Sequence, residues 1–373
     1  MKFVISSTEL LKHLNIVSKV IASKNTTPIL DNFLFEVLGN KLIIKGSDLE
    51  TTLITSIELD NIEGEGVFAI EVAKTLNLLK LLPDIPLSFN VDIENNVLNI
   101  TSESGNYTFP VLQGDEYPKT PELSDEHYEI SFTSDVLISG IEKTLFATAN
   151  DELRPVMNGI FVEFDEGKVT FAASDSHKLV RYIRTDINSN VTASFILPQK
   201  PANVLKNILT KDDTKVEVAF DNKNAIFKFN EFVLISRLIE GTYPSYNSVI
   251  PVDMPNKMLV DRVAFLNKLK LVTVLANQAS FLVKLKITPN KLFISAQDID
   301  FASSANEELE CHYEGEEMEI GFKGTFLQEI LANISSSDVI LNLLDSSRAG
   351  VIVPNENETE SEDVLMLIMP MML

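Results

Sequence analysis

The sequence predicts an α+β protein made of three tandem copies of one domain, and three observations carry this reading. Pro118, Pro244 and Pro370 stand 126 residues apart, and the first two close the similar phrases Asp115-Glu116-Tyr117-Pro118 and Gly241-Thr242-Tyr243-Pro244. Independently, Asp48, Asp175 and Asp298 close the alternating segments NKLIIKGSD, GKVTFAASD and NKLFISAQD, with Lys41, Lys168 and Lys291 opening them at steps of 127 and 123 residues. Within each copy, a helical period and a strand period both occur twice. Identity between copies is low, so the repeat is one of architecture, and its period is too long for a solenoid. The copies are expected at 1–122, 123–250 and 251–373.

Each copy opens on a short strand and a helix. The first helix is expected over Glu9 to Lys24, with Leu10, Leu14, Val17 and Ile21 on one face. Phe33 to Val37 and Lys41 to Lys45 then alternate around Gly39-Asn40, which reads as a hairpin of antiparallel strands. A second helix, Glu71 to Leu82, leads into strands at Leu87 to Ile93, Val97 to Ser102 and Tyr107 to Val111. The same order recurs with helices near Ser134 to Ala149, Gln199 to Lys211, Leu259 to Ala276 and Lys323 to Ile334. Strands with one apolar face need a cover, and two helices per copy supply it on one side only, so the helices are expected to share one face.

A chain with 45% hydrophobic and 23% charged residues has the composition of a globular protein, which excludes the disordered and collagen-like classes. The start, Met1-Lys2-Phe3-Val4-Ile5-Ser6, lacks an apolar run of signal-peptide length, and the apolar stretch Val364 to Leu373 is about half of the roughly 20 residues that cross a bilayer. A cytoplasmic location is expected, in keeping with the single cysteine, Cys311.

The formal charge of −23 argues against nucleic acid as a partner only until its distribution is considered. In chain order the six expected helices carry +2, +1, −1, +3, +2 and 0, a net of +7, which leaves −30 on the rest. A basic helical surface in an acidic protein can hold a phosphate backbone while the remainder repels it. Lysine is also a good helix former, so the count alone leaves both readings open.

Several residue groups resemble chemistry without completing it. Asp175-Ser176-His177 has the residue types of a hydrolase triad, but sequence neighbours rarely point at one another as a triad requires. Cys311-His312 falls short of four zinc ligands, since His13, His127 and His177 show no spacing that completes the set, and a surface strand pair is expected there. With no Gly-rich phosphate loop and its lysine, ATP hydrolysis is not expected either. Neither an enzymatic activity nor a cofactor is therefore assigned. The acidic stretch Glu356, Glu358, Glu360, Glu362 and Asp363 reads as a solvated loop before the last strand.

From end to end the chain resembles the bacterial DNA polymerase III β subunit, the β sliding clamp. The resemblance rests on MKFVI at the start, TPILDNFLFEV (Thr27 to Val37), GSDLE (Gly46 to Glu50), MNGIFVE (Met157 to Glu163), ASDSHKL (Ala173 to Leu179), EGTYPSY (Glu240 to Tyr246), EMEIGF (Glu317 to Phe322) and the closing MPMML. It implies a head-to-tail homodimeric ring of six domains, with antiparallel sheets outside and helices lining a hole. About twelve helices spaced near 10 Å give a circumference of about 120 Å, and removing a helix diameter of roughly 10 Å leaves an opening of about 28 Å, enough for a duplex. The implied function is a processivity factor that encircles duplex DNA without reading its sequence, is loaded by another protein, and works in the cytoplasm on the replicating nucleoid.

The resemblance also implies three sets of residues. Lys24, Lys80 and Lys200 match or lie near positions that would face DNA, and Lys206 is a further candidate on the helix of Lys200. Lys74, Tyr107, Phe109, Val274 and Leu275 would form the joint between subunits. A groove between the second and third copies would dock short peptides of the replicative polymerase, the clamp loader, other polymerases and repair proteins. Its residues would be Met157, Ser174, Ser176, His177, Lys178, Leu179, Pro244, Val249, Leu367, Met369, Pro370, Met371, Met372 and Leu373. Met-rich surfaces are adaptable, which suits a shared groove; read without the resemblance, Met369 to Leu373 could instead fill a core. Ser176, Lys178 and Met372 depart from the glycine, arginine and arginine common in the family, which implies an altered peptide preference. The loop around Asp151, Arg154, Pro155 and Val156 also departs from the family pattern, which puts its contact with DNA in doubt. The alternatives are a non-ring scaffold of three related domains and a hydrolase using Ser176 and His177.

Overall fold

The computed structural model describes residues 1–22, 24, 25 and 27–373. Residues 1–135 with 200–238 form one compact unit, and residues 136–199 with 239–373 form a second, so the middle copy gives part of itself to each.

Among the described residues six α-helices occur, two per copy: α1 Ser7–Val17, α2 Val72–Leu81, α3 Ser134–Thr144, α4 Gln199–Ile208, α5 Arg262–Val274 and α6 Gly324–Ala332. α1 starts earlier than its period suggests because the Ser6 hydroxyl accepts the Glu9 N–H at 3.3 Å, a cap that contributes about 1 kcal/mol. It stops well before Lys24: Ser18–Val20 tighten into a 3-10 turn and Ile21 is extended, while Ser23, inside the expected span, lies outside the described residues. Leu10, Leu14 and Val17 are fully buried and Ile21 is half-buried; burying each such side chain stabilises by about 1.5–3 kcal/mol.

α5 begins three residues later than expected. Asn256–Asp261 is a strand that buries Met258 and Val260, and Asp261 caps the helix by accepting the Ala264 N–H at 2.6 Å. A short apolar run satisfies both periods, and the cap decides between them.

Every strand pairing is antiparallel. The first unit holds a nine-stranded and a five-stranded sheet, the second a nine-stranded and a four-stranded sheet. Leu38 pairs with Lys41 across the expected hairpin, with Gly39 at φ +58°. Each nine-stranded sheet joins five strands of one copy to four of another. In the first unit the seam pairs Thr51–Glu58 with Phe232–Arg237, from Thr51 opposite Ser236 to Thr55 opposite Phe232. In the second it pairs Lys178–Arg184 with Glu362–Ile368, from Lys178 opposite Ile368 to Arg184 opposite Glu362. The five-stranded sheet ends on Asn106–Pro110 and the four-stranded sheet on Ser303–Glu310, each an edge strand.

The acidic stretch is only partly a loop. Glu356 and Glu360 are exposed, but Glu362 opens the last strand, is 7% exposed and accepts the Tyr182 hydroxyl at 3.0 Å. Glu358 pairs with the ammonium of Lys143 at 2.7 Å and Asp363 with Arg181 at 2.9 Å. Alternating charge hides such partners because they lie far away in sequence. Cys311 precedes a short strand, His312–Glu314, and burial pushes its thiol up. Among the described residues no group of three or more His, Cys, Asp or Glu is placed to hold a metal, and no helix is long and apolar enough to cross a membrane.

Candidate functional site

The repeat aspartates build the turns that shape the site. Asp175 follows the strand Lys168–Ser174, and its Oδ1 accepts the N–H groups of His177 and Lys178 at 2.9 and 2.8 Å, with Ser176 held at φ +76°. Asp48 does the same for Glu50 and Thr51, at 3.1 and 2.7 Å, and Asp298 for Asp300 and Phe301, at 3.0 and 3.2 Å. Asp221 and Asp345 repeat the device in second halves, on Lys223 and Asn224 and on Ser347 and Arg348. The phrases around these two differ, so the sequence period showed only the first series.

Beside the Asp175 turn, in the second unit, opens a cavity of about 680 Å³. Met157, Ser174, Ser176, His177, Lys178, Leu179, Pro244, Val249, Leu367 and Met369 line it. Pro370, Met371, Met372 and Leu373 do not. The Met371 N–H donates to the Gly321 carbonyl at 2.8 Å, so the chain end runs along the strand Met318–Lys323, and Met372 is 95% exposed. Nor does this end fill a core, as Leu373 is 60% and Met369 43% exposed. Backbone pairing, which side-chain pattern does not reveal, redirects it.

The sequence reading missed Tyr243, Tyr246, Ile250, Pro251 and Arg348 in the lining and gave Arg154 no place there. Tyr243 could have been found, since it precedes Pro244 in the repeated phrase. It stacks on Phe161 at 4.9 Å and joins Leu179, Ile196, Tyr246, Ala349, Val351 and Leu367 in an apolar cluster, where burial pushes its hydroxyl up.

The charges at this site are unevenly available. Lys178 is buried: its Nζ lies 2.7 Å from Asp175 Oδ2, 3.0 Å from Glu329 Oε2 and 4.3 Å from the Phe326 ring centroid. Its charge is balanced inside the protein and holds the wall of the cavity. Arg154 pairs with Asp151 at 2.8 Å and donates to the Ser176 hydroxyl, so the loop at Asp151 turns toward the cavity. His177 is exposed and stacks on Phe326 at 5.8 Å. One oxygen of Asp175 serves backbone N–H groups and the other Lys178, so the carboxylate does not orient His177 as a triad would.

Of the four lysines expected to face DNA, Lys24, Lys80 and Lys206 are exposed. Lys200 is committed elsewhere: its Nζ pairs with Asp48 and donates to the Val20 carbonyl at 2.6 Å. Lys19, absent from the expectation, is exposed and donates to the Asn207 carbonyl at 3.0 Å, bringing the end of α1 beside α4 within the first unit. The observed helices carry 0, +2, −1, +2, +3 and −1, a net of +5, which leaves −28 on the rest. The sign of the asymmetry holds with the shorter helices.

At the expected joint, Lys74 is exposed beside Glu71 at 2.7 Å, Val274 is 72% and Leu275 40% exposed, and Tyr107 is half-buried. Phe109 is 8% exposed and faces Leu98 across the ladder, so the strand offers its backbone there and the ring stays in the core.

Family models match the chain in three consecutive segments: the N-terminal domain of the DNA polymerase III beta subunit over residues 1–121, its central domain over 131–245 and its C-terminal domain over 247–372. The chain belongs to this family. The beta sliding clamp of Pseudomonas aeruginosa is 27% identical over the full length of both chains, and that of Bacillus subtilis 26% over 99% of each. A crystal structure of the Pseudomonas aeruginosa DNA polymerase III subunit beta covers both chains fully with a TM-score of 0.94 at 27% identity. The Thermotoga maritima beta subunit gives 0.88 at 28%, covering 100% of this chain and 99% of its own. As a beta sliding clamp, the chain is a DNA sliding clamp of DNA polymerase III and not an enzyme.

Proposed function

We propose that two copies of this clamp close head to tail into a ring around duplex DNA, and that the cavity beside Asp175 docks short peptides of the polymerase, the clamp loader and repair proteins. Its place of action is the cytoplasm, at the replicating chromosome. The proposed domain limits remain 1–122, 123–250 and 251–373, which agree with the three family segments to within a few residues except at the start of the central one.

The ring reading is carried by the sheets. Both nine-stranded sheets are a five-strand half joined to a four-strand half, and at both seams the third strand of a first half meets the last strand of a second half. One five-strand half and one four-strand half are left over, ending on Asn106–Pro110 and Ser303–Glu310. These are again the last strand of a second half and the third strand of a first half. An uncovered edge strand is a template for pairing, and a second copy offers the missing mate at each end. Such a contact is heterologous and must close or polymerise; two chains of three domains close it with sixfold pseudosymmetry.

The test is to load the protein with its loader onto nicked circular DNA and wash in high salt. Retention on the circle and release on linearisation are expected, because charge contacts alone weaken steeply with salt. Loss from the intact circle in salt would overturn encirclement.

A further inference from the structure

The loop Asp298–Ala302 presents two large apolar side chains to solvent, Ile299 at 81% and Phe301 at 80% exposed. It is well braced. Asp298, itself 3% exposed, accepts the N–H groups of Asp300 and Phe301 and, on its other oxygen, the Asn277 amide at 3.3 Å. The Ser303 hydroxyl donates to the Leu275 carbonyl at 3.3 Å, tying the loop to the end of α5, where Val274 and Leu275 are also exposed. Scattered apolar residues on a surface need no explanation, but a contiguous set on a fixed turn marks a contact.

The two seams inside the chain indicate what covers it. In the first unit the Arg237 N–H donates to the carbonyl of Glu50, in the Asp48 turn, at 2.8 Å. In the second the Met369 N–H donates to the carbonyl of His177, in the Asp175 turn, also at 2.8 Å. The Asp48 and Asp175 turns thus cap the end of the strand that faces each across a seam, and among the described residues no strand of this chain faces the Asp298 turn in that way.

We propose that Ile299 and Phe301 form an apolar latch on a second copy of this chain, at the end of its strand Asn106–Pro110, where Leu112 is 42% exposed. This rests on the head-to-tail reading above and adds a contact to it. The charges agree in sign: the edge strand Ser303–Glu310 carries Glu310 beside Glu307 and Glu308, which pair with Lys268 and Lys291 of the same chain, whereas Asn106–Pro110 has no acidic residue and α2 of the same copy exposes Lys80.

The test is sedimentation equilibrium of the full-length chain over a dilution series at low and high salt. The subjects are the wild type, the double variant Ile299→Ser with Phe301→Ser, and Leu49→Ser as a surface control in the Asp48 turn. The latch predicts a dissociation constant raised roughly tenfold or more in the double variant, since each ring or branched chain returned to water forfeits its burial, with unchanged melting of the subunit. The deficit should persist in high salt, where a contact made only by charge would fade. Wild-type association in the double variant overturns the latch and leaves the ring standing. A wild type that stays monomeric at every concentration overturns both.

Discussion

Each repeat aspartate uses one carboxylate oxygen on two backbone N–H groups and leaves the other for a partner that differs from copy to copy. That partner is the Lys200 ammonium at Asp48, Lys178 at Asp175 and the Asn277 amide at Asp298. The backbone role explains why the residue type recurs while its neighbours drift. Replacing Asp175 by alanine leaves the part-buried Lys178 N–H without its acceptor and the buried Lys178 ammonium with Glu329 as its remaining carboxylate; a loss of about 1–3 kcal/mol is expected. Thermal melting checks this, and peptide affinity should fall with it because Ser174, Ser176 and His177 move with the turn. Unchanged peptide binding in a destabilised variant would separate the turn from the groove. A second residue effect concerns pH. His13 lies on the buried face of α1, with Nδ1 2.7 Å from the Thr55 hydroxyl and its ring stacked on Phe232 at 5.5 Å, and burial holds its pKa below the ordinary value. A group depressed in the fold takes up its proton more readily when unfolded, so its contribution is present above about pH 6.5 and is lost as pH falls below that. Thr55 and Phe232 face each other across the first seam, so acidification should weaken the first unit. Melting from pH 7.5 to 6 should show a smaller slope in His13→Gln than in the wild type.

At the scale of elements, the positions of the helices were legible and their ends were not. Apolar spacing marked all six, but α1 ends where a 3-10 turn takes over, and α5 yields its first residues to a strand whose own alternation fits the same run. Hairpins read well because turn residues and alternation are local. The seams did not, since a pairing such as Thr55 with Phe232 spans most of two copies and leaves no local mark. The same limit explains the chain end, where the resemblance implied a groove wall but a single backbone bridge to Gly321 places it alongside. A Cβ at Gly321 would come within 2.7 Å of the Met371 carbonyl oxygen and 2.9 Å of Leu373 Cδ2. Gly321→Ala should therefore unseat residues 371–373, seen as faster amide exchange at Met371 with the rest of the second unit unchanged. Since Met369 lines the cavity and the last four residues do not, peptide affinity should fall only several-fold in that variant, but more when Met369 is removed as well. Equal losses in the two would show that the end residues also touch the peptide.

For the whole molecule the question is which force keeps an acidic protein on a polyanion. A chain of charge −23 is repelled by DNA at long range, and helices of net +5 act only within about a Debye length, roughly 8 Å at physiological salt. In the proposed ring, encirclement would remove the need for strong attraction, because the joint would have to open before the clamp could leave. Charge would then govern how the clamp slides, and the joint how long it stays. Lys24 and Lys80 are exposed, whereas Lys200 is tied to Asp48. Lys24→Ala combined with Lys80→Ala should leave the half-life on a closed circle in high salt unchanged, while diffusion along the duplex becomes faster and less sensitive to salt, as fewer phosphate contacts form. Lys200→Ala should instead loosen the first unit, visible in melting before any change in sliding. Single-molecule tracking on closed circles and on linear duplexes with blocked ends separates the two quantities. A half-life that falls in the double variant in step with added salt would mean that these lysines, and not ring closure, hold the clamp to DNA.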